Sequence, residues 1–199
     1  FTAAVAYNNR MYLLGGLTGT SPTETTVTTM EYADINPTGT LGSWSTTGMT
    51  ALPSARYGHT AHVYNDRLYL IGGSSSFAGA PVSTVQYIRL STSGTMLGSW
   101  QSTNGFTTGR MTWGGSFSTI WGGYLYLAGG CATLNASGFC TAIDSTVQLV
   151  SINADGTLAT WGSILDVTNQ MMGYNLVGWR NTLYRVGGCT SQNSSGDCT

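Results

Sequence analysis

The sequence predicts an all-β fold, a β-propeller of four-stranded antiparallel blades. Three observations carry that prediction. A glycine pair recurs at Gly15-Gly16, Gly72-Gly73, Gly129-Gly130 and Gly187-Gly188, with the first glycines 57, 57 and 58 residues apart. A period of this size marks an array of one supersecondary unit. Each pair closes the same kind of apolar segment, MYLLGG, LYLIGG, LYLAGG and LYRVGG, with Tyr12, Tyr69, Tyr126 and Tyr184 in register. Finally, each unit strings short strand-like runs between turn residues, and no segment shows helical periodicity.

The second unit shows the elements in order. Gly58 to Tyr64 has modest strand character, and Asn65-Asp66 is turn chemistry. Arg67 to Ile71 is a compact apolar strand stopped by Gly72-Gly73, which makes a tight hairpin. A loop from Ser74 to Ser83 follows, and Thr84 to Leu90 alternates like a strand with one buried face. Ser91 to Gly94 turns the chain into Thr95–Trp100, a fourth short strand ending in a large aromatic. The other units repeat the scheme. Their third strands are Met30 to Ile35 and Val147 to Ile152, and their last segments run Asn36 to Trp44 and Asn153 to Trp161. Gly39, Gly94 and Gly156 lie five or six residues before the tryptophan, where the turn needs a positive φ. The remaining turns of the first hairpins are read at Asn8-Asn9, Gly122-Gly123 and Asn181-Thr182.

The pattern resembles the kelch-repeat β-propellers. The residues that carry the resemblance are the glycine pair, the Tyr three residues before it, Trp44, Trp100 and Trp161 about 28 residues or more after it, and Arg56 and Arg110 ahead of the next first strand. The T-L-G-S-W variant with its longer period is similar to kelch-like arrays of bacterial secreted or cell-surface proteins. The resemblance spans the whole chain as one domain, 1–199, with units near 1–55, 56–109, 110–168 and an incomplete 169–199. It implies that the glycine pairs, the tryptophans and the two arginines are structural repeat residues. The fourth unit departs from the pattern: Asn169-Gln-Met-Met-Gly has no arginine, and Arg185 stands at an apolar position of the Gly-Gly strand.

Composition narrows the function. Only 8% of residues are charged and the net charge is -1, so the chain lacks the electrostatic footprint of a nucleic-acid or acidic-membrane binder. No apolar run approaches the roughly 20 residues of a membrane-spanning helix. Hydrophobic content is 41%, enough for a packed core.

The four cysteines form two C-x8-C loops, each starting directly after a glycine pair: Cys131 and Cys140, Cys189 and Cys198. Four cysteines allow three pairings, and the repetition favours the two local ones. Reduced thiols or a metal site are the alternative, although zinc usually takes closer cysteine pairs with further ligands and neither loop holds a histidine. Disulfides imply an oxidising location, extracellular or cell-surface, with the periplasm also suitable. Each loop carries an N-x-[ST] sequon, at Asn135 and Asn193, a candidate glycosylation site.

About three and a half blades are present, fewer than the four to eight that close a propeller. Further blades, from the same or another chain, are therefore expected as partners. Antiparallel order puts the short turns on one face and the long, variable loops on the other. The long-loop face is the candidate binding face, with Phe77 and Phe139 as candidate contacts for a protein or glycan.

No catalytic or cofactor constellation is evident. His59 and His62 are three apart in an expected strand, so alternation directs them to opposite faces and away from a shared metal. The His, Tyr and Cys–Tyr set of kelch-like copper oxidases has no counterpart, and the aspartates show no paired-carboxylate signature. The expectation is a non-enzymatic, cofactor-free binding module. The alternatives are a structural spacer or adhesive domain, or part of an enzyme whose active site lies in other blades.

Overall fold

The computed structural model describes residues 1–20, 23–164, 166–167 and 169–193. These residues form seventeen strands and no helix. The first blade pairs β1 (Ala3–Tyr7), β2 (Arg10–Leu14) and, after a short ladder of β3 (Leu17–Thr18) with β4 (Thr25–Thr26), β5 (Met30–Asp34). The second runs β6 (Thr60–Tyr64), β7 (Arg67–Ile71), β8 (Val85–Leu90) and β9 (Met96–Thr103). The third holds β10 (Ser118–Trp121), β11 (Tyr124–Ala128), a side hairpin of β12 (Cys131–Leu134) and β13 (Cys140–Ile143), then β14 (Val147–Ser151) and β15 (Gly162–Ser163). The fourth shows β16 (Met172–Trp179) and β17 (Thr182–Cys189). All the strand ladders are antiparallel, and the chain is an all-β array of propeller blades.

Local chemistry explains the hairpins. Asn8-Asn9 and Asn65-Asp66 adopt positive φ at both central positions, with φ from 46 to 57°. That geometry matches the right-handed strand twist, and asparagine and aspartate tolerate it. The fourth hairpin turns at Arg180-Asn181, with Trp179 paired to Thr182, one residue earlier than the sequence suggests. The loops after the glycine pairs are more ordered than expected. In the first and third blades they form the small hairpins β3–β4 and β12–β13, and in the second Ser74 bridges Pro81. The expected fourth strand of the first blade is reduced to the bridges Tyr32–Ser45 and Ile35–Leu41. No blade leans on that side among the described residues, leaving Leu41 43% and Trp44 42% exposed.

Neighbouring blades share their cores. Leu68, Leu70, Ile88 and Leu90 of the second blade bury against Tyr12, Leu14 and Met30 of the first. Tyr69, Ile71 and Val85 bury on its opposite face with Leu125, Leu127 and Val150 of the third, and that cluster continues to Tyr174 and Leu176 of the fourth. The repeated tyrosine adds a polar tie. Tyr12 donates from its hydroxyl to the Gly94 carbonyl (2.6 Å), and Tyr69 to the Gly156 carbonyl (2.9 Å), each reaching the glycine turn of the next blade. The repeated tryptophan reaches the other way: the Trp161 indole N–H donates to the Asn104 carbonyl at 2.9 Å.

The two arginines and the glycine pairs form one staple. The Arg56 carbonyl accepts from the N–H of Gly16, while its guanidinium donates to the Gly72 carbonyl (3.1 Å) and to Thr84 Oγ1 (2.8 Å). Arg110 repeats this one blade on. Its carbonyl accepts from Gly73, and its side chain donates to the Gly129 carbonyl (3.0 Å), to Thr146 and to Gln148. Arg110 also pairs with Asp144 at 3.2 Å, with both side chains almost wholly buried. Only glycine fits the closest approach: at Gly72, with φ +62°, an added Cβ would lie 2.6 Å from the Arg110 carbonyl. In the fourth blade Met171 faces Gly129 at that place, and Arg185 instead donates to the Asn169 carbonyl (2.6 Å).

Two measurements check this account. Tyr69→Phe should lower stability by about 1 kcal/mol, as one buried hydrogen bond is lost and the Gly156 carbonyl is left unpaired. Tyr184→Phe should change it by less than about 0.5 kcal/mol, since that tyrosine is 43% exposed; equal losses in thermal melts would contradict the assignment. Arg110→Met should cost about 3–5 kcal/mol by stranding the buried Asp144 carboxylate. Adding Asp144→Asn should recover part of that loss in a double-mutant cycle.

Candidate functional site

The first strands β1, β6, β10 and β16 are the innermost of their blades. Their leading ends are tied around the axis by backbone bonds, Gly58 N–H to the Phe1 carbonyl (3.2 Å) and Thr112 N–H to the Gly58 carbonyl (2.8 Å). Ser116 completes the run, forming a parallel bridge with Asn175. Between these strands lies a cavity of about 510 Å³. Its lining includes Phe1, Gly58 and Thr112, where the connectors feed the first strands.

The polar part of its lining includes His59, Thr60, His62, Thr112, Ser116 and Asn175, and no Asp, Glu, Lys or Arg side chain contributes. His62 Nε2 shares a 2.8 Å hydrogen bond with Ser118 Oγ, which also bonds Thr60 Oγ1, so two blades meet through an imidazole and two hydroxyls. Burial pushes His62 down to about 4, against an opposing pull from the Ser118 backbone. Burial, reinforced by the Arg56 charge, pushes His59 down to about 3, opposed by the Leu14 backbone. Both rings are neutral at physiological pH. The two rings turn to opposite neighbours, as strand alternation predicts: His62 meets Ser118 of the third blade, while His59 lies at the end of β2, where a Cβ on Gly15 would meet its Cε1 at 3.1 Å. A serine beside an imidazole invites a catalytic reading, but Ser118 is fully buried and no carboxylate orients His62 among its bonds.

The long loops start beside the lead-ins to the first strands, through the bridges Tyr57–Ser74 and Met111–Cys131. Cys131 and Cys140 form a disulfide across the β12–β13 hairpin, with Cα atoms 5.8 Å apart. The pairing expected for Cys189 with Cys198 lies outside the described residues, as does the rest of the sequon that begins at Asn193. Asn135 is exposed, and its Oδ1 accepts from the N–H groups of Ser137 (3.0 Å) and Phe139 (2.9 Å), leaving the amide nitrogen on the outer side of a closed turn. Phe77 of the second blade is half-buried and lies against this turn, since a Cβ on Gly138 would meet its ring at 2.9 Å. Phe139 is also half-buried. The disulfide hairpin reaches the fourth blade through the Cys140 N–H, which donates to Gln192 Oε1 at 3.0 Å. A second cleft of about 480 Å³ runs there, between residues 140–143 and 190–192.

Sequence reasoning found the loops but missed the axial residues. The available signal was the polar residues Thr60, His62, Ser118 and Thr119 within the first strands of two blades.

The neutral histidines have a thermodynamic consequence. Their folded pKa values lie below the unfolded value near 6.5, so the unfolded state binds more protons in between. The stability they provide is full above about pH 6.5 and falls as pH drops towards about 4 and 3, by at most about 1.4 kcal/mol per pH unit for each ring. His62→Gln should flatten the decline in melting temperature between neutral pH and about pH 4.5 relative to the parent; parallel profiles would contradict it.

Comparison with known proteins agrees with the architecture. The kelch motif family matches residues 55–93, which is most of the second blade. No curated protein matches the chain. The solved structure of YjhT superposes with a TM-score of 0.68 at 17% identity, over 94% of this chain and 58% of that one. The chain thus spans little more than half the length of that structure. The kelch motif in the second blade, the recurrence of its glycine pair and tyrosine along the array, and the shared fold support a kelch-repeat β-propeller.

Proposed function

We propose that the chain is a non-catalytic binding module that takes a protein or glycan on its long-loop face, in an extracellular or cell-surface location. The observation that carries this reading is convergence. By antiparallel order the β3–β4 hairpin, the Ser74–Ser83 loop and the disulfide hairpin emerge on one side of a rigid scaffold. The disulfide supports an oxidising compartment, and the open amide of Asn135 suits a glycosylated loop. With 8% charged residues, recognition on this face rests on hydrogen bonds and apolar contact.

A second reading, a structural spacer or adhesive domain of a larger assembly, is favoured by the two ends of the array. Val177, Trp179, Tyr184 and Val186 are exposed by 43–60% on the outer side of the fourth blade, and Trp44 by 42% on the first. Tyr69 and Ile71, the counterparts of Tyr184 and Val186, are fully buried against a neighbour. Further blades, from the same or another chain, fit these faces. The enzyme alternative would need its catalytic groups from such blades.

The purified protein should retain at least one ligand on a glycan array or a panel of surface proteins. Phe139→Ser and Phe77→Ser, in variants that keep the parental melting temperature, should weaken that binding about tenfold or more. Absence of binding to every probe, together with ordered self-assembly, would instead select the spacer.

A further inference from the structure

We propose that Asn104-Gly105 is a modification site, where the Asn104 amide is lost by deamidation when the junction between the second and third blades opens, and where the product keeps that junction from closing again. This goes beyond the binding-module reading and does not rest on it.

The first argument is the local sequence. Asn104-Gly105 is the single Asn-Gly pair of the chain. Counting back from Arg56 and Arg110, the first blade has Thr50-Ala51 at the same place, so the pair is not part of the repeat. The glycine is required by its surroundings. A Cβ on Gly105 would lie 2.6 Å from the Ser83 carbonyl, which accepts from the Phe106 N–H at 3.0 Å. Without a side chain, Gly105 leaves its own backbone nitrogen open to approach. That N–H has no hydrogen-bond partner among the described residues, and both residues of the pair are exposed to water.

The reaction needs no other reagent than water. The Gly105 nitrogen bonds to the Asn104 Cγ, the Cγ–Nδ2 bond breaks, and Nδ2 departs as ammonia with the proton that Gly105 gives up. A cyclic succinimide is left. Water then opens either ring C–N bond, giving aspartate or isoaspartate. Water enters, ammonia leaves, and no atom changes oxidation state.

The closed junction holds this attack off. Asn104 Nδ2 donates to the carbonyls of Leu158 (2.9 Å) and Ala159 (3.0 Å) in the third blade. The Asn104 carbonyl accepts from the Trp161 indole N–H at 2.9 Å. That carbonyl and the Gly105 N–H share one peptide plane, so the same bond fixes the direction of the nucleophile. Beside it, Thr103 Oγ1 accepts from the Leu158 N–H at 2.7 Å. The reaction therefore waits for local opening, and its rate follows the population of the opened junction. Afterwards the clasp cannot be remade. A carboxylate only accepts hydrogen bonds, so it would face the Leu158 and Ala159 carbonyls with no donor between them. Isoaspartate also lengthens the backbone. The junction works as a one-way latch.

The test incubates the folded protein and a synthetic peptide of residues 98–110 in mildly alkaline buffer. Peptide mapping reads conversion at each asparagine from the amide-to-acid mass change. In the folded protein Asn104 should convert faster than every other asparagine, yet at least about tenfold more slowly than in the peptide. Trp161→Phe removes the indole N–H and should speed the folded reaction about threefold or more, the effect of one lost hydrogen bond. Thr103→Val, which removes the acceptor of the Leu158 N–H, should act in the same direction. Urea below the unfolding transition should also raise the parent's rate, a readout that needs no variant. Converted protein, separated by ion exchange on its added negative charge, should melt below the parent. Conversion at the peptide's rate overturns the proposal, as does no excess over the other asparagines. A rate indifferent to urea and to whichever variants fold overturns it too, as does converted protein that melts with the parent.

Discussion

Everything in this array depends on the close backbone approach at the glycine pairs. The lead-in to each blade runs directly over the pair of the blade before, as where the Arg56 carbonyl meets Gly16 and the Arg110 carbonyl meets Gly73. The same two arginines then turn their guanidinium groups into their own blades. One residue thus fixes both the distance between blades and the shape of the loop that follows. The cost is burial of a cation. Burial lowers Arg56 to about 10, still well above physiological pH, and for Arg110 the Asp144 carboxylate opposes the same effect. Such buried charge pairs tend to secure one arrangement against others more than they add net stability, and an array of near-identical units needs protection against slipped packing.

The staple also explains how scaffold and site divide the sequence between them. Residues that recur hold blade to blade: Tyr12 and Tyr69 across to the glycine turns, Trp161 back to Asn104, and the leucines of β7 into the core. Residues that differ gather at the axis and on the loops. In the fourth blade the pattern loosens. Met171 stands where an arginine is expected, and Arg185 takes a different route to the Asn169 carbonyl.

The second blade was almost fully legible in the sequence, because β7 ends at Gly72 and begins after Asn65-Asp66, both unambiguous punctuation. The fourth strands were the least legible. Thr-Leu-Gly-Ser-Trp occurs in the first blade and Met-Leu-Gly-Ser-Trp in the second, yet only the second is a regular strand, β9. The difference comes from a neighbour against which Trp100 packs and Trp44 does not, and local sequence does not encode a neighbour. The disulfide hairpin was visible as a spacing, but not as a ladder contacting Gln192. The axial cavity was invisible for a related reason. It is assembled from short runs of three units and Asn175 of the fourth, far apart in sequence, and each run looks unremarkable in its own strand.

The absence of charged side chains from the cavity lining also bears on kinetics. With little side-chain charge there to steer it, a macromolecular partner approaching this face would associate at the unsteered rate, on the order of 10⁵–10⁶ per molar per second. It also has little Coulombic attraction for salt to screen. Affinity differences between related ligands would then arise mainly in how long each stays bound. A site of this kind works alike in dilute and in concentrated salt.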